Sequence, residues 1–205
     1  MIRIENIQAA FAAISRQMTE NRGYLIQLDA QNGDGDLGIS MDTGFKAVHD
    51  YLQNPDETDL GRLFLKASKV LNESSPSSLG TILSFALMGI AKALKGKETA
   101  QTDEMVAAMD AGVKLIMEKA GAKPGEKTIL DALCPAINAL QTSAVQDTKS
   151  RFQDAAAAAA QGSESTRQMR SVHGRAAYYG DKSIGILDGG SVVGRLIFEG
   201  IALSL

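Results

Sequence analysis

The amino-acid sequence predicts an all-α fold of about eight helices, packed as an antiparallel up-and-down bundle or barrel. Apolar residues recur at steps of three and four along most of the 205-residue chain, which is typical of amphipathic helices. No segment alternates apolar and polar residues with the period of a strand, and runs of β-branched and aromatic residues are absent. The connections between helices are short, which favours antiparallel neighbours.

Composition indicates a single globular domain over residues 1–205, since 44% of the residues are hydrophobic and the length suffices for one core. The net charge of −3 provides no broad basic surface, so nucleic acid is not an expected partner. No run of about 18 apolar residues occurs, so no membrane segment is predicted. The single Cys134 excludes an internal disulfide and suits a reducing compartment, which predicts a cytoplasmic protein.

Each helix is predicted from its apolar period and from the residues that bound it. Asp59 and Thr128 are suitable N-caps, whereas Pro55 and Gly121 follow predicted helix ends. The alanine run Ala155–Ala160 favours a helix that approaches its neighbour closely. The predicted helices, the second of them short, span residues 4–18, 20–28, 45–52, 60–71, 82–93, 103–120, 128–140, 152–160 and 192–203.

The segment Leu28–Gly44 carries the strongest chemical signal, because Asp29, Asp34 and Asp36 alternate there with glycines. Glycine and aspartate both disfavour helix interiors, so we expect a tight loop throughout this segment. Three carboxylates on a glycine loop suit Mg²⁺ or Ca²⁺, although a solvated polar turn is an equally good interpretation. Neither possible register fits the EF-hand pattern, so that kind of calcium site is excluded.

Three further loops rich in Gly, Ser or charged residues, at 72–80, 121–128 and 174–190, interrupt the helices. Alternate connections of an up-and-down bundle lie at the same end, so several of these loops could meet at one site. Ser74 and Ser75 precede a helix N-terminus and could contact phosphate, although simple N-capping is the more common explanation. Arg175 and Asp188 could cover a ligand or form a surface ion pair.

Other common catalytic signatures are missing. The P-loop pattern GxxxxGK[ST] and the protein-kinase motifs do not occur, which excludes those nucleotide sites. We interpret His49 and His173 as surface or hydrogen-bonded residues and not as a general base. Cys134 has apolar neighbours and precedes a proline within a predicted helix, which indicates a buried structural thiol.

Four ordered motifs together carry a resemblance. They are LDAQNGDGDLGISMDTGF, SSPSSLGT, KPGEKTILDALCPA and GRAAYYGDKSIGILDGG, and they span residues 28–190. The chain thereby resembles the ADP-binding L subunit of bacterial dihydroxyacetone kinase, a DhaL-type domain. The resemblance implies an eight-helix antiparallel barrel with the nucleotide bound in the loops at one end.

The resemblance also implies cofactors and site residues. Asp29, Asp34 and Asp36 match the aspartates that bind two Mg²⁺ ions at the phosphates of ADP or ATP. The implied nucleotide contacts are Leu37, Gly38, Ser40, Met41, Ser74, Ser75, Gly121, Thr128, Ile129, Arg175, Asp188, Gly189 and Gly190. Within this set, Ser74 and Ser75 match the phosphate turn, and Thr128 and Ile129 match the adenine pocket. No catalytic residue beyond the metal ligands is assigned.

The implied partner is a K-type subunit that holds dihydroxyacetone or a related ketose, so this chain would carry the nucleotide half of the active site. An M-type phosphocarrier of the phosphotransferase system is a second expected partner if ADP stays bound. Otherwise ATP exchanges freely, and the sequence does not decide between these variants. The oligomeric state stays open, with a homodimer among the alternatives.

The sequence departs from the family pattern at several positions. Leu37 and Ser40 stand where many members have His and Asn, and Asn72–Ser77 replaces a glycine-rich phosphate turn. Two alternatives therefore remain beside the kinase subunit. One is a regulatory L-type chain that binds nucleotide and a protein without transferring phosphate. The other is a nucleotide domain like that of fatty-acid kinases, against which the GRAAYYG element argues.

Overall fold

The computed structural model describes residues 1–205 and confirms the all-α prediction, with nine α-helices and no strand. An isolated bridge between Ile2 and Ala100 is the sole β-type pairing. Two further stretches, Thr166–Gln168 and Arg175–Ser183, are 3₁₀-helical, the second broken at Gly180. The α-helices are α1 Ile4–Glu20, α2 Arg22–Asp29, α3 Leu37–Leu52, α4 Leu60–Ser74, α5 Ser78–Ala93, α6 Thr102–Ala120, α7 Leu130–Thr142, α8 Thr148–Ser165 and α9 Gly189–Leu203.

Eight of these helices form a closed ring. Each of α3 to α9 packs against the next along the chain, and α9 returns to pack against α1, which itself contacts α3. The short α2 lies outside this order and packs on α3. Small residues allow close approach where the ring is tightest: Ala155 and Ala159 of α8 are fully buried, and the backbone of Gly200 in α9 touches Ile14. The ring is therefore an eight-helix barrel.

The connections between helices divide between the two ends of the barrel. At one end Leu60 N donates to Lys97 O at 2.7 Å, and Arg151 pairs with Asp103 at 2.8 Å across α8 and α6. The connections 53–59, 94–101 and 143–147 and both chain termini lie at this end. The connections 30–36, 75–77, 121–129 and 166–188 lie at the other end, because successive ring helices run in opposite directions.

The barrel interior is lined by apolar side chains and retains a cavity of about 260 Å³. Aromatic rings from several helices meet there, with the centroid of Phe11 6.4 Å from those of Phe45 and Phe64. None of the helices combines the length and the apolar character needed to cross a membrane.

The expected loop over Leu28–Gly44 is wrong in its second half, because α3 begins at Leu37. Glycine is needed at position 38 for packing and not for a turn. A Cβ there would collide with the carbonyl oxygen of Arg22 in α2, so the two helix backbones can approach only at a glycine. Gly44 has a similar role against Leu71 and Ser75 of the α4 end.

Candidate functional site

The loop between α2 and α3 folds back on Asp29. The carbonyl oxygen of Asp29 accepts hydrogen bonds from Asn32 N at 3.1 Å and Gly33 N at 2.6 Å. The carboxylate of Asp29 accepts a hydrogen bond from Gly35 N at 2.8 Å. A side chain at position 33 would collide with that carboxylate, and Gly35 has a φ of +77°, which favours glycine. The turn brings carboxylate oxygens of Asp29, Asp34 and Asp36 within 4.8 Å of one another.

The three carboxylates experience opposing electrostatic effects. Burial, together with the neighbouring charges of Asp34 and Asp29, raises the pKa of Asp36. A hydrogen bond from the guanidinium of Arg175 instead lowers the pKa of Asp34. One arginine therefore faces three carboxylates, and negative charge remains uncompensated. This donor set fits a hard divalent cation, whose charge would offset the repulsion.

The serine turn between α4 and α5 lies beside the middle of α3. Ser75 is fully buried against Gly44, which is about 10 Å along α3 from Leu37. Ser77 caps α5 by accepting a hydrogen bond from Gly80 N at 3.1 Å, while Ser74 ends α4 with a partly exposed side chain. The expected capping role is thus present, and the buried hydroxyl of Ser75 lies 3.4 Å from that of Ser77.

The connection between α6 and α7 is organised by the buried Asp131. Its carboxylate accepts hydrogen bonds from Gly125 N at 2.5 Å and Thr128 N at 2.7 Å. Gly121 ends α6 in the left-handed region, with a φ of +62°. The predicted capping role of Thr128 is present, since its Oγ1 accepts a hydrogen bond from Leu130 N at 3.2 Å, and α7 itself begins at Leu130.

The fourth connection, which we call the covering segment (166–188), reaches across the end of the barrel. Arg175 forms an ion pair with Asp34 of the aspartate loop. Tyr178 and Tyr179, with Asn32, Gly33 and Arg175, line an open pocket of about 440 Å³. The predicted connection over 174–190 contains 3₁₀ turns at Arg175–Ser183, and it ends slightly earlier than predicted because α9 begins at Gly189.

The end of the covering segment meets the α6–α7 connection. Asp188 caps α9 by accepting from Ser191 N at 2.6 Å. Burial raises its pKa to about 7, with further contributions from the charges of Asp131 and Asp29 and an opposing hydrogen bond from Ser191 N. The backbone of Gly190 lies against Ile129, and that of Gly189 lies against the side chain of Leu37.

Several residues predicted for the nucleotide site have buried side chains or no side chain in the structure. Met41 is fully buried in the core, and the side chains of Leu37 and Ile129 are also buried. Ser40 lies on the first turn of α3, where its N–H donates to Asp36 O at 2.9 Å. At Gly38 the α2 backbone takes the space that a side chain would need.

The contact partners of two residues at this end of the barrel, Lys127 and His173, are not predicted from the sequence. Lys127 was part of a polar turn in the sequence, yet its side chain is buried and donates to backbone carbonyls of residues 166–186. His173 pairs with Glu126, with 2.6 Å between Nε2 and Oε2, which lowers the pKa of Glu126. No local pattern marks either residue, because their partners lie roughly forty or more residues away along the chain.

Comparison with known proteins identifies the family of the chain. The profile of the DAK2 domain matches residues 31–203, which covers most of the chain; Asp29 lies two residues before the match begins. The chain belongs to the DAK2 domain family. The resemblance stated from the four motifs is thereby confirmed, since curated relatives of this DAK2 chain include several ADP-binding DhaL subunits.

Two such relatives cover nearly their full length. The ADP-binding subunit DhaL of PEP-dependent dihydroxyacetone kinase 1 from Listeria innocua is 30% identical over 89% of this chain and 87% of its own. The corresponding Escherichia coli subunit is 27% identical, with 88% and 87% covered. L-erythrulose 1-kinase of Mycolicibacterium smegmatis is 26% identical over 96% of this chain but only 35% of its own.

The same fold occurs in a solved structure. The crystal structure of dihydroxyacetone kinase from C. freundii, in complex with AMP-PNP and Mg²⁺, superposes with a TM-score of 0.78. The match covers 97% of this chain and 33% of that one, at 24% identity. This likeness confirms the barrel architecture.

Proposed function

We propose that this DAK2 chain is the nucleotide-binding subunit of a dihydroxyacetone-type kinase. It would bind ADP or ATP at the loop end of the barrel and transfer a phosphoryl group to dihydroxyacetone or a related small ketose. The observation that carries this proposal is the convergence of Asp29, Asp34 and Asp36, opposite Arg175, in a chain whose relatives are ADP-binding kinase subunits.

The three carboxylates would hold two Mg²⁺ ions. Each carboxylate offers oxygen ligands. Burial and the charges of Asp34 and Asp29 together raise the pKa of Asp36, so a bound divalent cation would stabilise its ionised form. When bound, divalent cations would neutralise phosphate charge and orient the phosphoryl group for in-line transfer. The role of the protein is to fix these ligands, and the hydrogen bond from Gly35 to Asp29 supports that role.

The remaining contacts would position the nucleotide. Ile129, which follows Thr128 in the chain, packs beside Gly190, and this suits an adenine pocket between the α6–α7 connection and the start of α9. Arg175 lies 66% exposed over the aspartate loop, so its guanidinium could leave Asp34 and bind a phosphate when a cation takes its place. Free N–H groups at the start of α5 are a further set of phosphate donors.

Partner chains would complete the active site. A K-type subunit would hold the ketose, as the resemblance to DhaL-type chains implies, and this chain would carry only the nucleotide half of the active site. An M-type phosphocarrier would rephosphorylate bound ADP if the nucleotide is a fixed cofactor, as the PEP-dependent naming of the Listeria innocua and Escherichia coli relatives favours. ADP that co-purifies and fails to exchange would support this variant, and ready exchange would exclude it.

Reconstitution tests the proposal. The chain is mixed with a dihydroxyacetone-binding partner subunit, nucleotide and Mg²⁺, and phosphorylated ketose is measured. We expect turnover only with both chains, and a loss of at least about 100-fold in Asp36→Asn, since electrostatic stabilisation of transferring phosphate is lost. Asp50→Asn is the matched control, because Asp50 forms only an exposed pair with Lys46 on the same helix.

Two results would contradict the proposal. Turnover by this chain alone would refute the half-site arrangement. Nucleotide binding without transfer, in the presence of a partner that binds it, would instead support the regulatory alternative.

A further inference from the structure

Lys127 is an unusual residue at this end of the barrel. It is only 4% exposed, although lysine is seldom buried without a partner. It is also the only non-glycine residue with positive φ, at +60°. A buried cation in a sparsely populated backbone conformation persists only when surrounding contacts determine it.

Those contacts are backbone carbonyls, all of them in the covering segment. The ammonium donates to Ile186 O at 2.6 Å, Ser183 O at 2.7 Å and Thr166 O at 2.8 Å. A fourth carbonyl, Met169 O, lies at 3.2 Å. The three N–H groups of the ammonium are therefore shared among four carbonyl oxygens, which surround the nitrogen as carbonyl oxygens surround a bound metal cation.

The four carbonyls come from both ends of the covering segment. Thr166 and Met169 precede its central 3₁₀ turns. Ser183 is the last residue of those turns, and Ile186 follows them. The ammonium thus joins the two ends and fixes both to the start of α7. A neutral side chain of the same length would leave several buried carbonyls without a donor, which is costly.

Neighbouring contacts close the same segment. Glu126, next to Lys127, binds His173, and Arg167 exchanges hydrogen bonds with Gly185 at 2.7 and 3.0 Å. Arg175 extends from the middle of the segment to Asp34. All of these partners are more exposed than Lys127, which leaves the ammonium as the central buried contact.

We propose that Lys127 is a positioning residue that holds the covering segment closed across the end of the barrel and thereby places Arg175 beside the aspartate loop. This inference rests on the proposed function for its effect on nucleotide binding. The closed position of the covering segment does not depend on the proposed function, because the segment is closed in the chain without nucleotide. Lys127 contacts carbonyls of the protein and acts on the nucleotide only through the segment.

The first test compares Lys127→Met with Lys123→Met. Lys123 lies on the same turn, and its side chain is 77% exposed with one distant pair to Glu126. Trypsin cleavage after Arg170, Arg175 and Lys182 is measured without nucleotide. We expect cleavage at least tenfold faster in Lys127→Met and within twofold of wild type in Lys123→Met.

Amide hydrogen exchange locates the effect. In Lys127→Met, exchange should accelerate in residues 167–187 and stay unchanged in α1 and α3 to α6. Exchange that rises uniformly would show general destabilisation and overturn the inference, as would an unchanged covering segment. The affinity for ADP with Mg²⁺ should fall at least tenfold in Lys127→Met.

Restoring the ammonium provides a rescue. Lys127→Cys in a Cys134→Ala background is alkylated while unfolded with bromoethylamine, which forms a thioether, releases bromide and recreates a lysine-like ammonium. Alkylation with bromopropane gives a neutral side chain of the same length. We expect slow cleavage to return with the first adduct only. Equal cleavage of the two adducts would contradict a role for the charge.

A measurement on the wild-type chain applies even if the variants fail to fold. Acetylation of lysine amines is followed by mass spectrometry, with Lys123 as internal reference. Lys127 should react at least tenfold more slowly than Lys123, and more slowly still with ADP and Mg²⁺. Equal reaction rates would overturn the inference. A slowly reacting Lys127 in a chain that binds no ADP would refute the proposed function alone.

Discussion

At the scale of single residues, identical side chains in one loop acquire different properties. Asp34 and Asp36 are separated by one glycine, yet the pKa of the first is lowered by the Arg175 hydrogen bond and that of the second is raised by burial and by its acidic neighbours. The sequence predicts that the three aspartates converge, because glycines between them allow a turn. It does not predict the opposite shifts, which depend on an arginine about 140 positions away.

Asp188 provides a pH-dependent prediction. Its pKa is raised from 3.8 to about 7, so its stabilising contribution is fully present below 3.8 and is lost as pH rises through 7. The substitution Asp188→Asn retains a side-chain oxygen that can cap α9 and removes the titratable carboxyl group. With a chelator present, the stability gain of Asp188→Asn over wild type should grow by about 2–3 kcal/mol between pH 5 and pH 8. Urea unfolding at the two pH values measures it.

Asp147→Asn is the control for that experiment. Asp147 caps α8 as Asp188 caps α9, but hydrogen bonds from Ser150 lower its pKa. Its carboxylate is therefore ionised in the folded state at both pH values, and its substitution should have the same effect at pH 5 and pH 8. A parallel response of the two variants would contradict the raised pKa of Asp188.

At the scale of elements, glycines set the distances between helices. The sequence correctly indicates most helices from their apolar period, but it places the start of α3 near Phe45 when the helix begins at Leu37. The error arises because Gly38 and Gly44 resemble loop glycines in the sequence. Their actual role, contact with the backbone of α2 and with the end of α4, requires the tertiary structure.

Gly38→Ala tests this role. The added methyl group would collide with the Arg22 carbonyl and the Ile26 side chain, so α2 must move away from α3. We expect a loss of about 1–3 kcal/mol in the free energy of unfolding, as for other overpacked contacts. Gly23→Ala is the matched control, because nothing lies within 4 Å of its Cβ position in α2. That change should be neutral or stabilising by up to about 1 kcal/mol. Equal destabilisation by both changes would contradict the packing role.

At the scale of the whole molecule, the closed ring explains how four separate connections become one site. Helical periodicity and short loops suffice to predict an up-and-down bundle and to place alternate connections at one end. They do not predict which connections touch. The carboxylate of Asp131 holds the α6–α7 connection together by accepting a hydrogen bond from Thr128 N. Two other contacts, those of Lys127 and of the Glu126–His173 pair, join this connection to the covering segment. All three contacts depend on the packing of α7 against α8 and α9.

Calorimetric titration of ADP tests most directly whether this end of the barrel is a metal-dependent nucleotide site. We predict binding by the wild-type chain in Mg²⁺, no measurable binding in a chelator, and loss of binding in Asp34→Asn while Asp50→Asn binds normally. Equal ADP affinity with and without Mg²⁺, or an Asp34→Asn variant that binds like wild type, would contradict a nucleotide site built on the three aspartates.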